Sequence, residues 1–403
     1  MLYELVVTGS LLHFSKIFKL MNKSIYIDNN SSTFCDPRVA KKIHELLISR
    51  NFANPHSAEH KLGWESMDLL DESRELVASN IGALPDEIFF TSGATESNNI
   101  AIKGVVESAL RKKDKRKKII TTNIEHKCVL NSFYEMSKKN NLELVILEVD
   151  ESGFLKLEEL EQCATDALLL SVIHTNNEIG VVQKIKELGD IASKYDIIFH
   201  VDASQAIYSD IDVIDLGIDL MSFSSHKIYA PVGSGILFVN SGLSVKPMSI
   251  YSGGFQQEGV RAGTISPVLS FATAYAFNIL KQSKEDEINH LHELRELFIQ
   301  LLHTHDIQFN INGSMSHRHP GNLNISLADI DNSASFIYKL QPNVSISSGS
   351  ACNSGVVEPS YVLKALGLKS TDIERAIRIG FGRFNNKEEI ESCVEYILSA
   401  IKK

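Results

Sequence analysis

Short, almost wholly apolar runs recur along this chain, and the stretches between them carry helical periodicity. Such runs occupy residues 87–90, 118–122, 142–149, 168–173, 197–201 and 220–224. They are too short for helices, rich in β-branched and aromatic residues, and bounded by polar or small residues. That is the pattern of strands buried on both faces. After the first run, Ile102, Val105, Val106, Ala109 and Leu110 stand at i, i+3, i+4, i+7 and i+8, so they share one helix face. The alternation predicts an α/β fold with a mostly parallel sheet and helices on both faces. From about residue 281 the character changes: a long charged helix at 281–303, short strands, then a helix at 387–402 predict a smaller α+β domain.

Bulk properties exclude several classes. The 403 residues are 43% hydrophobic and 22% charged, ordinary globular values that suit two or three domains or one large domain with a satellite. A net charge of −10 gives no general attraction to nucleic acid or acidic membrane. The basic run at 111–118 reads as a solvated helix end and loop, which argues against direct nucleic-acid binding. Cys35, Cys128, Cys163, Cys352 and Cys393 form no C-x-x-C pair, and their odd number and wide spacing argue against disulfides or structural zinc. No metal is expected, and a reducing, cytoplasmic setting fits. No run reaches the roughly 20 apolar residues of a membrane helix. Residues 1–20 lack the order of a signal peptide, and Met21 precedes a strand at 25–27. They read as an upstream extension or a misassigned start, with a partner-binding helix as the alternative.

Two strand ends carry chemistry. Asp202 closes the 197–201 run, and Ser225-His226-Lys227 follows the 220–224 run. In open α/β sheets, ligands sit beyond the carboxyl ends of strands. An aspartate and a lysine there fit a pyridoxal phosphate (PLP) site. Lys227 is the Schiff-base amine, and Asp202 is the carboxylate that keeps the pyridine nitrogen protonated. Either residue alone reads as a helix cap or a surface lysine.

Other residues gain meaning beside that pair. Residues 91–97, Thr-Ser-Gly-Ala-Thr-Glu-Ser, lead from a strand into a helix, so Ala94 and Thr95 are the expected phosphate contacts at its N-terminus. A Ser/Thr cap with Glu96 in the first turn is the plainer reading. His126 is expected to stack on the cofactor ring and to move protons. Asn177 and Gln205 are expected at the cofactor's phenolic oxygen, and Ser224 and His226 at the phosphate. Cys352 lies in a run of small residues without apolar periodicity, which suggests a nucleophile on a loop. Arg378, on an apolar strand, requires a partner: a bidentate carboxylate clamp or an internal salt bridge.

These motifs in this order resemble the NifS/IscS-like cysteine desulfurases, class V of the fold-type-I PLP enzymes. The resemblance rests on TSGATESNN (91–99), EHK (125–127), HTNNEIG (174–180), HVDASQ (200–205), SFSSHK (222–227), RAGT (261–264), SSGSACNS (347–354), EPSY (358–361) and GRF (382–384). It spans about residues 24–400, and the cysteine segment resembles the group with a long cysteine loop. It implies the PLP-dependent transferase fold of type I with a sheet of seven-stranded type. The large PLP-binding domain is then 38–280, and residues 21–37 and 281–403 form the small domain that carries the cysteine loop. It implies conversion of L-cysteine to L-alanine through a ketimine, with the catalytic residues Lys227, His126 and Cys352. Sulfur passes to Cys352 as a persulfide and then to an acceptor protein.

Asn177 and Arg378 match substrate-carboxylate positions, and Thr264 matches a residue that reaches the phosphate of the other subunit, so a homodimer is implied. Three departures from the family pattern are Phe255 within the glycine-rich 253–259 segment, Ser225 where glycine is usual, and Ala262 for serine. The chain ends at Lys403, where housekeeping members continue with a tail that docks the iron–sulfur scaffold. Acceptors in Fe–S assembly, tRNA thiolation or DNA phosphorothioation therefore all stay open. The competing readings are another PLP lyase, such as a selenocysteine lyase, and a non-catalytic scaffold.

Overall fold

The computed structural model describes residues 24–49, 53–348 and 359–402. The expectations for residues 1–20 and for Cys352 lie outside them.

Seven strands form the main sheet: β1 (Ile25–Tyr26) lies elsewhere, and the sheet holds β2 (Ile88–Thr91), β3 (Lys118–Thr122), β4 (Glu143–Leu147), β5 (Ala167–Ile173), β6 (Ile198–Asp202), β7 (Leu220–Ser224) and β8 (Gly235–Val239). Their order is β2-β8-β7-β6-β5-β3-β4. β8 runs antiparallel to both neighbours, and every other pairing is parallel. Strands β5 to β8 are buried along their whole length, as expected where helices cover both faces. The helices include α1 (Pro37–Ile48), α2 (Lys61–Ile81), α3 (Ala94–Arg111), α4 (Lys127–Asn140), α5 (Leu157–Cys163) and α6 (Ile185–Lys194). On α3 the predicted face is buried at Ile102, Val105, Val106 and Ala109, whereas Leu110 falls at its edge and is 37% exposed.

The next helix, α7 (Pro267–Thr304), is 38 residues long, about 57 Å at 1.5 Å per residue. The charged stretch predicts a start at 281, but the helix already runs from Pro267. Its true start is set by Ser266, whose side chain accepts the Leu269 amide, and by Pro267 in the first turn. The first half buries Phe271, Ala272, Ala276 and Leu280, and the second half buries Leu291, Leu294, Phe298 and Leu302.

Beyond α7, β9 (Phe309–Ile311), β10 (Asn322–Leu327) and β12 (Ala376–Gly380) form an antiparallel sheet in the order β12-β10-β9. β11 (Val344–Ser345) pairs in parallel with β1, so residues 25–26 join this carboxyl-terminal region. Helices α8 (Ser333–Leu340), α9 (Tyr361–Ala365), α10 (Ser370–Glu374) and α11 (Lys387–Ile401) complete it. Arg383, just after β12, pairs with Asp36 at 2.7 Å and Glu287 of α7 at 2.9 Å, and lies over the Tyr229 ring.

Cys35, Cys128, Cys163 and Cys393 are free thiols. In the basic run, Arg116 is bound by Asp114 and Lys112 by the Ser244 carbonyl. Among the described residues, no helix is long and apolar enough to cross a membrane, and no His, Cys, Asp or Glu cluster is arranged to hold a metal.

Candidate active site

A cavity of about 390 Å³ opens where β5, β6 and β7 end and α3 begins. Register brings these ends level, since Ile173 pairs with Asp202 and Asp202 with Ser222. Lys227, Asp202, His126, Ala94, Thr95, Asn177, Gln205, Ser224, His226 and Arg378 all line it. Thr264 does not. It lies in a smaller cavity of about 140 Å³ with Arg261 and Ser266, which adjoins the first across Ser92 and Gly233.

The turn Ser225–Lys227 carries Lys227 into the cavity. Its Nζ donates to the carbonyl oxygens of Asn30 and Ser31, each at 2.6 Å. Burial, aided by the nearby positive charge of Arg378 and opposed by Asp28 and Asp202, lowers its pKa to about 7. A lysine so placed is about half neutral amine near pH 7, against a negligible fraction for a solvated lysine, and the neutral form is a nucleophile. Ser225 fits where glycine is usual because its hydroxyl donates to the carbonyls of Pro231 and Ser234.

Asp202 is held at both oxygens. Oδ2 accepts from Asn98 Nδ2 at 2.8 Å, and Oδ1 accepts from the Ser204 amide at 3.0 Å and its hydroxyl at 2.5 Å. Sequence reasoning missed Asn98 and Ser204. A polar residue within a helix looks solvated, and only the 3.6-residue period places Asn98 on the sheet-facing side with Ala101, Ile102 and Val105.

The N-terminus of α3 is open. Its N-cap is Gly93, which offers no side chain, so the Ser/Thr cap does not form. Glu96 turns back instead, accepting from the Ser92 amide at 2.5 Å and from Arg261 Nε at 2.9 Å. The amides of the first helical turn have no acceptors within the helix and face an anion-sized space. Gly235 at the start of β8 makes this loop possible, because a Cβ there would lie 2.5 Å from the Gly93 Cα.

His126 is the N-cap of α4, with Nδ1 accepting the Cys128 amide at 3.2 Å and lying 3.0 Å from Cys128 Sγ. Burial lowers its pKa, and Lys227 and Lys127 add to that effect while Asp202 opposes it. His226 is lowered to about 4 by burial and by Lys227, and its Nδ1 lies 3.0 Å from Ser32 Oγ. Gln205 Nε2 donates to the Asn30 carbonyl at 2.6 Å, so that donor is engaged within the chain.

Both readings of Arg378 meet in its geometry. Nη2 pairs with Asp28 at 2.7 Å and reaches Ser347 Oγ at 3.2 Å, while Nη1 donates to the Asn177 carbonyl at 3.0 Å. The internal salt bridge is therefore real. Nε, however, is buried without a partner. A buried guanidinium N–H without an acceptor is costly, and a substrate carboxylate at the cavity wall would relieve it. Asp28 was not anticipated, because the aspartate and the arginine lie at opposite ends of the chain.

The residues present fit PLP: a nucleophilic amine, a rigidly held carboxylate, an uncapped helix N-terminus and two buried polar atoms without partners, Arg378 Nε and Asn98 Oδ1. Fold and site together define a fold-type-I PLP-dependent enzyme. More narrowly, the chain belongs to the class-V aminotransferase family, whose pattern matches residues 25–393. It is 41% identical to the cysteine desulfurase of Homo sapiens over 383 residues, 94% of this chain and 82% of that protein. It superposes on a NifS-like protein with a TM-score of 0.86 at 30% identity, covering 94% of this chain and 99% of the other. SspA in complex with cysteine superposes with a TM-score of 0.76 at 31% identity, covering 90% and 99%.

Proposed function

We propose that the protein is a PLP-dependent cysteine desulfurase that removes sulfur from L-cysteine, releases L-alanine and passes the sulfur through Cys352 to an acceptor protein. The observation that carries this reading is the pairing of a depressed Lys227 amine with the clamped Asp202 carboxylate, in a chain 41% identical to a cysteine desulfurase. When bound, PLP supplies an electron sink that loosens bonds at the substrate's Cα and Cβ.

This chain's residues hold and direct that chemistry. Lys227 Nζ would hold the cofactor, and its amine, with a pKa lowered to about 7, could take and return protons at the substrate carbon. Asp202 fixes the ring nitrogen, and the N-terminus of α3 with Ser224 and His226 holds the phosphate. Arg378 and Asn177 would orient the substrate carboxylate, and His126, which lines the same cavity, would cover a ring face and take part in proton movement. The Cys352 thiolate attacks the substrate sulfur. An S–S bond forms as the C–S bond breaks, and that electron pair stays with the carbon skeleton that leaves as alanine.

A homodimer completes the reading. Thr264 lies outside its own chain's cavity, and Tyr251 and Phe255 on the same segment are exposed, Phe255 by 82%. Light scattering that gives one chain per particle would remove the dimer from this proposal.

The test of the chemistry is the intact mass of the PLP-loaded protein after L-cysteine, with alanine assayed in the same tube. The expected result is alanine together with one added sulfur that Cys352→Ala abolishes. Alanine without the adduct, unchanged in the variant, would identify a direct lyase instead.

A further inference from the structure

Cys128 is the one cysteine in this cavity among the described residues, and the mechanism above does not use it. It stands in the first turn of α4 beside His126. Three contacts converge on the pair. The Cys128 amide donates to His126 Nδ1 at 3.2 Å, the sulfur lies 3.0 Å from the same nitrogen, and Asn98 Nδ2 donates to the sulfur at 3.3 Å. Asn98 Nδ2 also donates to Asp202 Oδ2 at 2.8 Å.

The chemistry of these atoms sets the protons. A backbone amide can only donate, so His126 Nδ1 must accept, and the proton of the neutral ring sits on Nε2. Burial and the Asp202 charge push the Cys128 thiol up to about 12, so it keeps its proton and does not compete as a nucleophile. Asn98 and the Thr95 side chain both hydrogen-bond the sulfur, and the 3.0 Å approach of Sγ to Nδ1 places the S–H where it shares that nitrogen's lone pair with the Cys128 amide. The charged groups that face His126 are Asp202 from β6, Lys227 from the turn after β7 and Lys127 on its own helix.

We infer that Cys128 is a positioning residue: held between Asn98 and the imidazole, its sulfhydryl adds to the backbone amide in favouring the neutral Nε2–H ring of His126 and links that ring, through Asn98, to the Asp202 carboxylate. The inference rests on the desulfurase reading and deepens it. His126 then presents a hydrogen-bond donor at Nε2, with its orientation set from behind.

The test uses the PLP-loaded enzyme with Cys128→Ala, the near-isosteric Cys128→Val and the donor-retaining Cys128→Ser. Two readouts are taken: the pH profile of kcat/KM, and the visible circular dichroism of the Lys227-bound cofactor, which reports the ring's surroundings without turnover. Loss of the S–H donor removes a bond that favours the neutral ring. The acid limb of the Ala and Val variants is therefore expected to move up by about half to one pH unit. Their dichroism is expected to change, and serine is expected to restore both. If only serine retains cofactor, that also supports the role. Profiles and dichroism of Ala and Val that superimpose on the parent would overturn it, as would a serine variant that behaves like alanine or loss of cofactor in all three. A parent enzyme that forms no alanine would instead defeat the desulfurase reading.

Discussion

Replacing Lys227 by methionine should make the cofactor-free protein more stable. The Lys227 pKa falls from 10.5 to about 7 on folding. Between those values the unfolded chain carries a proton that the folded chain does not, so folding improves as pH rises through that window. Below pH 7 the penalty is complete. At about 1.36 kcal/mol per pH unit it amounts to about 4–5 kcal/mol. Methionine removes it but also loses the bonds to the Asn30 and Ser31 carbonyls. That loss offsets about 1–2 kcal/mol, since Asn30 keeps its bond from Gln205. The net gain is about 2–4 kcal/mol at pH 6, falls to zero at about pH 9–10, where the remaining penalty equals the lost bonds, and reverses above that. Urea unfolding of both cofactor-stripped proteins at pH 6, 8 and 10, at one protein concentration, measures it. A difference that does not change with pH, or a methionine variant less stable at pH 6, would refute the argument that Lys227 is held neutral at a cost to the fold.

Asn98→Ala leaves Asp202 Oδ2 without its amide donor. Cofactor affinity, followed by fluorescence titration, should weaken about tenfold to a hundredfold, as for one hydrogen bond to a charged group. Gly235→Ala places a methyl 2.5 Å from the Gly93 Cα, and overpacking of this kind should cost about 1–3 kcal/mol in thermal unfolding, with weaker phosphate binding. Arg378→Lys keeps the charge but loses the planar fork, so KM for L-cysteine should rise about tenfold or more, with a smaller change in kcat. Asp36 is held at about 2: burial raises its pKa, but its bonds with Arg38 and Arg383 outweigh that. Its contribution of about 2 kcal/mol should be present above pH 4 and lost as pH falls toward 2, which denaturant unfolding of the parent against Asp36→Asn will show.

The sheet was legible because its central strands are buried and so appear as short, mainly apolar runs, broken only by small or single polar residues. Their polarity was not. Gly235–Val239 is as apolar as its neighbours, yet nothing in an apolar run says that β8 lies antiparallel between β2 and β7. Asp202 and Lys227 were readable because they punctuate strand ends, where ligands bind. Their supporting residues were not. Asn98 is one of several polar residues on α3, and Asp28 meets Arg378 only through the fold. Cys128 sits at the start of a helix whose N-cap is a histidine rather than a serine or threonine, so the usual cap signal was missing. The start of α7 was hidden for a different reason: its first half is alanine-rich and buried, and only the charged second half looks helical by amphipathic pattern.

That long helix also determines how the protein can be taken apart. Residue 281 marks a change in composition, but the backbone passes through it without interruption, as a beam passes over a joint. A split-protein pair or a circular permutant with its new ends at 281 would leave each fragment with half a beam and an uncovered apolar stripe: Phe271 to Leu280 on one piece, Leu291 to Leu302 on the other. Such fragments should aggregate rather than reassemble. The turn after α7, where Asp306 already adopts a left-handed φ of 56°, is the better place to cut.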